Sequence, residues 1–435
     1  MQKYLFACIF LCCSFFQTTI FSQIKTGYPV ADGTFIQNDL VRNWDDNQWQ
    51  KELAALKEVG MHYIILAPTL HTNKNGYTES VYPSRLPEIN QKQNADLVDN
   101  CLRNAARQGF KVFLGLNFDE KWWDAQFSYE WLKDQMETGN KVADELIKNY
   151  KNKYGETMYG WYWVWEVDNI HCKTAELQDA LASLLNVNLD HLHKITPSMP
   201  FMLCPFMNYR LGTAEENGRL WKRVFAGTHF KDGDIFAPQD CIGAGGLILD
   251  TLDIWFREMK KAVDTKPRLL FWSDAETFDQ RFWTIAPLNR FIQQMNIVQP
   301  YVSNIISFAY SHYYSPNQVN GNYHKCYAHY VQTGLLPNSS LKGIVSNLQI
   351  VMTTDNKPRI SWRAPSDSNE IAGYYVYRNQ ELVANIQYDR KNKKNVRNTF
   401  IEKAPLGKGT YKYEICAYSF TGVPASKKSI ECMIN

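Results

Sequence analysis

Three acids in this sequence stand where apolar runs end. Glu166 follows Gly160-Trp-Tyr-Trp-Val-Trp165, Glu276 closes Arg268-Leu-Leu-Phe-Trp-Ser-Asp-Ala-Glu276, and Asp240 closes Asp234-Ile-Phe-Ala-Pro-Gln-Asp240. Carboxyls gathered at the ends of buried strands can do proton chemistry, because burial and mutual repulsion raise one pKa while another group stays ionised. The protonated member can donate to a leaving oxygen and the ionised one can attack carbon or activate water, the pairing that cleavage of an acetal such as a glycoside requires. Separation decides the outcome: about 5 Å gives retention, and about 6.5 to 9.5 Å leaves room for water and gives inversion. Each acid also has a plain structural reading as an ion-paired or capping group.

Such acids need strands to present them. Alternation puts Tyr162, Val164 and Glu166 on one face of their run and Trp161, Trp163 and Trp165 on the other, so Glu166 reaches the mouth of a barrel if the first face lines its axis. Asp274 and Glu276 likewise share parity with Leu270 and Trp272. Apolar strands are expected over Gly33 to Gln37, Met61 to Pro68, Phe110 to Leu116, the run ending at Glu166, Phe201 to Cys204, Asp234 to Ala237, Arg268 to Trp272 and Asn304 to Phe308. Helical patterns separate them, one capped by Asp45 and stopped at Gly60, another ended by Gly109. Unbroken apolar strands alternating with helices imply an α/β fold with a parallel sheet covered on both faces, here a closed (β/α)8 TIM barrel. A doubly wound open sheet is the alternative, but Gly243-Ala-Gly-Gly246 stands in the wrong context for a phosphate-cradling loop.

At 435 residues the chain fits a large domain and a small one. Residues 1–23 read as a secretory signal peptide, with Lys3 before the apolar run Tyr4 to Phe16, which is too short for a membrane span. Phe10 and Leu11 before Cys12 and Cys13 disfavour a lipid anchor, so a secreted or periplasmic protein is expected. The barrel occupies 24–334, a turn-rich linker 335–342, and an all-β sandwich 343–435. Cys101, Cys172, Cys204, Cys241, Cys326, Cys416 and Cys432 lack CxxC or CxxH spacing, so they read as small buried hydrophobes rather than a disulfide framework or zinc site. A net charge of +3 with scattered basic residues argues against a nucleic-acid surface; the basic run Arg390 to Arg397 reads as a solvated loop. With 13 Trp and 25 Tyr the chain has aromatic rings to spare for stacking on sugars, which makes a carbohydrate the expected ligand.

The strand-end residues supply candidate sugar contacts. Gln37, Asn117, Asn169, Asn208, Gln239, Tyr310 and His312 are hydrogen-bonding types near the mouth, while Trp122, Trp123 and Trp272 could stack, although single rings serve packing more often. His312 has no second ligand at metal spacing, and His324 and His329 are five residues apart, so a neutral hydrogen-bonding imidazole is expected and no metal or cofactor is called for.

Two resemblances sharpen these expectations. In the C-terminal part, Arg359-Ile-Ser-Trp362, Tyr375-Val-Tyr-Arg378 and Gly409-Thr-Tyr-Lys-Tyr-Glu-Ile-Cys-Ala417 resemble strands of a fibronectin type III module, with Tyr411 as its tyrosine corner. In the barrel, an acid after the fourth strand and another after the seventh resemble the large superfamily of retaining barrel glycosidases, where the first implies an acid/base and the second a nucleophile. More narrowly, Gly33-Thr-Phe-Ile-Gln37, Trp165-Glu166, Ala237-Pro-Gln-Asp240 and the segment Trp272 to Phe278 resemble a family of secreted Bacteroidetes barrels catalogued as a domain of unknown function and regarded as glycosidase-like. The chain departs from the superfamily in having Trp165 where an Asn precedes the fourth-strand acid, with Asn169 three residues after it. That Asn binds the sugar 2-OH, so the departure leaves the stereochemical course open. The expected protein is a monomeric glycoside hydrolase; a barrel that binds glycans without cleaving them is the rival, and a sandwich that docks a partner protein is a third reading.

Overall fold

A computed structural model describes residues 27–87, 89–92, 95–124, 128–339, 341–366, 368–387 and 398–434. The expected signal peptide and the basic run Arg390 to Arg397 lie outside the described residues.

Eight parallel strands close into a barrel: β1 (Gly33–Gln37), β2 (Tyr63–Ala67), β3 (Lys111–Gly115), β4 (Met158–Trp163), β5 (Phe201–Leu203), β6 (Ile235–Phe236), β7 (Leu270–Glu276) and β8 (Asn304–Phe308), with β8 pairing back onto β1. Among the described residues eight long helices alternate with them: α1 (Asp46–Glu58), α2 (Leu97–Gln108), α3 (Tyr129–Leu146), α4 (Ala175–Ile195), α5 (Ala214–Gly227), α6 (Leu249–Val263), α7 (Leu288–Val298) and α8 (Gly321–Thr333). Local chemistry sets their ends. Asp45 and Gln48 form a reciprocal capping box on α1, Thr213 and Glu216 do the same for α5, and Gly109 closes α2 in the left-handed region at φ 79°.

Alternation sorts the β4 side chains as a two-residue period requires. Tyr162 and Val164 join Phe35, Phe113, Met202 and Trp272 in the barrel interior, whereas Trp161, Trp163 and Trp165 face the helices. Their indoles find partners there: Trp161 Nε1 donates to Thr196 Oγ1 at 2.9 Å and Trp163 Nε1 to Asn188 Oδ1 at 3.1 Å. Regular pairing in β4 stops at Trp163, short of the run expected from composition. The Val167 N–H then donates to the Trp165 carbonyl at 3.1 Å, a three-residue turn with Glu166 at its apex.

The barrel wall is tight where β3 meets its neighbours. A Cβ added at Gly115 would stand 2.4 Å from Ala67 Cβ and 3.1 Å from Val164 Cγ2, so only glycine fits between β2 and the end of β4. Gly115→Ala is therefore expected to cost about 1–3 kcal/mol in urea denaturation through overpacking; an unchanged midpoint would show that the wall yields.

Beyond the barrel the described residues form two antiparallel sheets. One holds β9 (Ser346–Met352), β10 (Pro358–Arg363) and β13 (Thr399–Ile401); the other runs in the order β12 (Glu381–Gln387), β11 (Ile371–Arg378), β14 (Gly409–Ser419), β15 (Lys428–Ile434). Trp362, Tyr374, Val376 and Ile415 lie in their shared core. This part packs on the barrel through apolar surface: Phe420 meets Tyr323 of α8 edge-on at 4.9 Å, and Tyr418 and Ala372 belong to the same buried cluster as the barrel helices. Cys101, Cys172, Cys204, Cys241 and Cys416 are buried thiols, and Cys326 and Cys432 are half-buried; all seven are free. Among the described residues no helix is long and apolar enough to cross a membrane.

Candidate active site

Glu166 opens on a cavity of about 340 Å³ at the C-terminal ends of β1 to β4. The loops that build its outer wall were not read as elements from the sequence. Leu70–Thr72, Thr78–Ser80, Gln91–Lys92 and Asn117–Asp119 form a small four-stranded sheet above the barrel, which brings His71, Glu79, Phe118 and Glu120 to the cavity. The turn dipeptide Asn75-Gly76 between two short β-prone stretches is the sequence signal for this hairpin. Arg42, just after β1, pairs with Glu79 and with Asp39 at 3.2 Å. Glu120 is held by His71 Nε2 at 3.2 Å and by the backbone N–H of Lys74 at 3.1 Å. Phe35, Phe308, Tyr162 and Trp123 supply aromatic surface to the same cavity. A pocket of this kind, with apolar rings and a few converging charged groups, suits a hydroxylated ring ligand.

The Glu166 carboxyl is half-buried at the base of this cavity. Burial, with the charge of Asp168 adding to it, pushes its pKa up to about 7, and a hydrogen bond from the Gln239 amide opposes the rise. At neutral pH the group is thus divided between acid and carboxylate, the condition a proton donor needs. Trp165 points away from the mouth and packs against Trp122 at 5.9 Å, Trp131 at 5.6 Å and Phe118 at 5.3 Å. The residue before the acid is therefore part of an aromatic core here, which accounts physically for the departure from Asn.

The acids of β6 and β7 are enclosed. Asp240 is fully buried and turned outward, accepting from Gln294 Nε2 on α7, from the Ile242 N–H at 3.1 Å and from the Glu276 N–H at 3.3 Å. Glu276 is 1% exposed, and its Oε2 accepts the Ala244 N–H at 2.7 Å in the loop after β6. Asp274, whose parity with Trp272 placed it inside, is 2% exposed, and its Oδ1 has no hydrogen-bond partner among the described residues. Burial raises all three pKa values; the charge of Asp240 adds to the rise at Glu276, and the charges of Glu276, Asp240 and Glu166 add to it at Asp274. Neither Asp240 nor Glu276 lines the cavity that Glu166 faces.

Of the expected sugar contacts, Gln37 and Trp123 line the cavity, and Trp123 is 55% exposed beside Phe118 at 5.7 Å. Gln239 reaches Glu166. His312 is buried behind β1, its Nε2 accepting the Gln37 N–H at 3.2 Å. The other six are placed elsewhere. Trp122 is buried against Trp165 and His171, and Asn117 is turned to Gln135 at 2.9 Å. Trp272 lies deeper in the barrel against Tyr63 at 5.2 Å, and Tyr310 bonds His324 in the helical layer at 2.9 Å. Asn169 and Asn208 join two loops through reciprocal side-chain to backbone bonds of 3.0 and 2.9 Å. Among the described residues no three His, Cys, Asp or Glu side chains are grouped to hold a metal ion.

Fold and site together define a (β/α)8 barrel with an acidic, aromatic-walled cavity at the end of the strands where such barrels carry their chemistry. The chain belongs to the family described as a domain of unknown function, DUF4434, which it matches over residues 31–320. Among curated proteins none matches. Similar solved structures include a candidate alpha-L-fucosidase from Bacteroides thetaiotaomicron, at 22% identity and TM-score 0.58, covering 70% of this chain and 94% of that one. An endo-beta-1,4-mannanase from Thermotoga petrophila is 10% identical at TM-score 0.46, covering 94% of this chain and 99% of its own. Chitinase ChiA74 from Bacillus thuringiensis is 11% identical at TM-score 0.42, with 94% and 85% covered. At 22% identity the likeness to the first of these is one of fold.

Proposed function

We propose that the protein is an exported glycoside hydrolase in which Glu166 protonates the leaving oxygen. One observation carries this reading: a half-buried carboxyl with a pKa near 7 stands at the end of β4 and faces a cavity walled by aromatic rings and charged side chains. The partner carboxylate expected from sequence was Glu276 or Asp240, but both are enclosed, and burial raises the pKa of each. The same cavity is lined by other candidates. Glu79 is paired with Arg42 and suits substrate binding, whereas Glu120 is fixed by an imidazole and a backbone N–H, lines the cavity, and has no guanidinium partner among the described residues. Glu120 is accordingly assigned as the base that activates water.

The C-terminal sheets read as a fibronectin type III module, since Tyr411 Oη donates to the Gly407 carbonyl at 3.1 Å as a tyrosine corner does. Glu120→Gln should lower reducing-end release from a susceptible polysaccharide by about 10²-fold or more. Release at the wild-type rate would remove Glu120 from the pair. Enclosure of the β7 acids also fits a barrel that holds glycans without cutting them; such a binder would release no reducing ends from any polysaccharide.

A further inference from the structure

We propose that Trp283 is a stacking platform on which a glycan chain rests after it leaves the Glu166 cavity, so that the substrate is a polymer several sugars long; this rests on the carbohydrate reading of the cavity. Trp283 sits on the hairpin formed by Phe278–Asp279 and Thr284–Ile285, directly after β7. Its side chain is 69% exposed, and its backbone holds φ at 51°. A bulky residue in the left-handed region is strained and persists only where the surroundings impose it.

Those surroundings are on both sides of the hairpin. The inner face of the indole lies parallel on Phe278, with centroids 6.1 Å apart and planes 8° apart, leaving the outer face to solvent. On the far side the C-terminal module grips the hairpin: Ile285 N–H donates to Gln387 Oε1 at 2.7 Å, Gln387 Nε2 to the Ile285 carbonyl at 2.9 Å, and Asn385 Nδ2 to Thr284 Oγ1 at 3.0 Å. The Arg281 guanidinium is tied to Asp279 by bonds of 3.1 and 2.7 Å, which stiffens the turn further. An apolar ring this exposed, on a turn this firmly held, is a preformed surface rather than a frayed loop.

The occupant follows from where the ring leads. Phe278 meets Phe308 at 6.0 Å, and Phe308 is part of the cavity wall. Trp283 thus stands two ring contacts from the wall of the Glu166 cavity, through Phe278, which is itself buried at 7% exposure. The flat apolar face of a pyranose stacks on such a ring with its hydroxyls still in water, whereas an apolar protein partner would need a broader patch than one indole.

Affinity gel electrophoresis in gels holding galactomannan, xyloglucan, arabinoxylan or pectin tests this, with reducing ends measured on the same four polymers. Trp283→Ala should weaken retardation by about tenfold in the polymer that retards the wild type, the size one aromatic stacking contact supplies, and Trp283→Phe should recover most of it. Equal retardation of wild type and Trp283→Ala, or no retardation of the wild type by any of the four, overturns the platform. The two readings separate cleanly. Retardation that depends on Trp283 without reducing-end release supports the platform and removes the hydrolase; release with retardation indifferent to Trp283 does the reverse.

Discussion

Glu166→Gln is expected to lower turnover of a susceptible glycan by about 10²–10⁴-fold while leaving its binding within a few fold of wild type, because the amide keeps the shape and hydrogen bonds of the acid but has no proton to give. Glu166 stands at the apex of a three-residue turn after β4, at the base of the cavity, where burial brings its pKa to about 7. As pH rises through that value the donor is lost, so turnover limited by protonation should fall on the alkaline side with a midpoint near 7. A variant with wild-type turnover would mean that the proton comes from elsewhere. Loss of binding together with turnover would assign Glu166 to substrate capture instead.

The second large effect concerns stability. Asp240, Asp274 and Glu276 are buried together with raised pKa values, and Glu166 joins them at about 7. The folded state thus holds protons that the unfolded chain releases near the ordinary carboxylate value of about 4.3. Their stabilisation is complete below that value and is lost as pH rises through the folded pKa values, the reverse of a salt-bridged carboxylate. For Glu166 the shift corresponds to about 3 kcal/mol as an upper figure. Urea midpoints measured from about pH 5 to pH 9 should therefore fall by several kcal/mol equivalent. Asp274→Asn should flatten that slope, since its Oδ1 has no partner to lose. A pH-independent midpoint would mean that these carboxyls are solvated or paired as anions.

Much of the scaffold was legible because burial leaves a periodic mark. The apolar runs gave the eight barrel strands, and the parity of Tyr162 with Val164 and of Trp161 with Trp163 gave the inward and outward faces of β4. Parity says which face a residue takes but not what covers it. Asp274 and Glu276 both follow from Trp272 by alternation, yet the loop holding Ala244 closes over Glu276, a contact set by backbone geometry 32 residues away. Asp240 was read at its strand end, and nothing local announced that it would turn toward Gln294 of α7. The cavity wall was missed for a related reason: His71 and Glu79 ride on three-residue strands and Glu120 on a four-residue turn, too brief for a periodic pattern. Trp122 and Trp123 show the limit at its sharpest, since adjacent identical residues take opposite roles, one buried on Trp165 and the other 55% exposed.

Carbon-13 NMR of protein labelled at the glutamate side-chain carboxyl, with the Glu166 resonance assigned by its loss in Glu166→Gln, reads the protonation of this one group directly and needs no substrate. Titration near pH 7 is the result expected for an acid poised to donate at the barrel mouth. A midpoint of about 4.3, the ordinary value of a free glutamate, would leave the cavity without its acid and contradict this assignment.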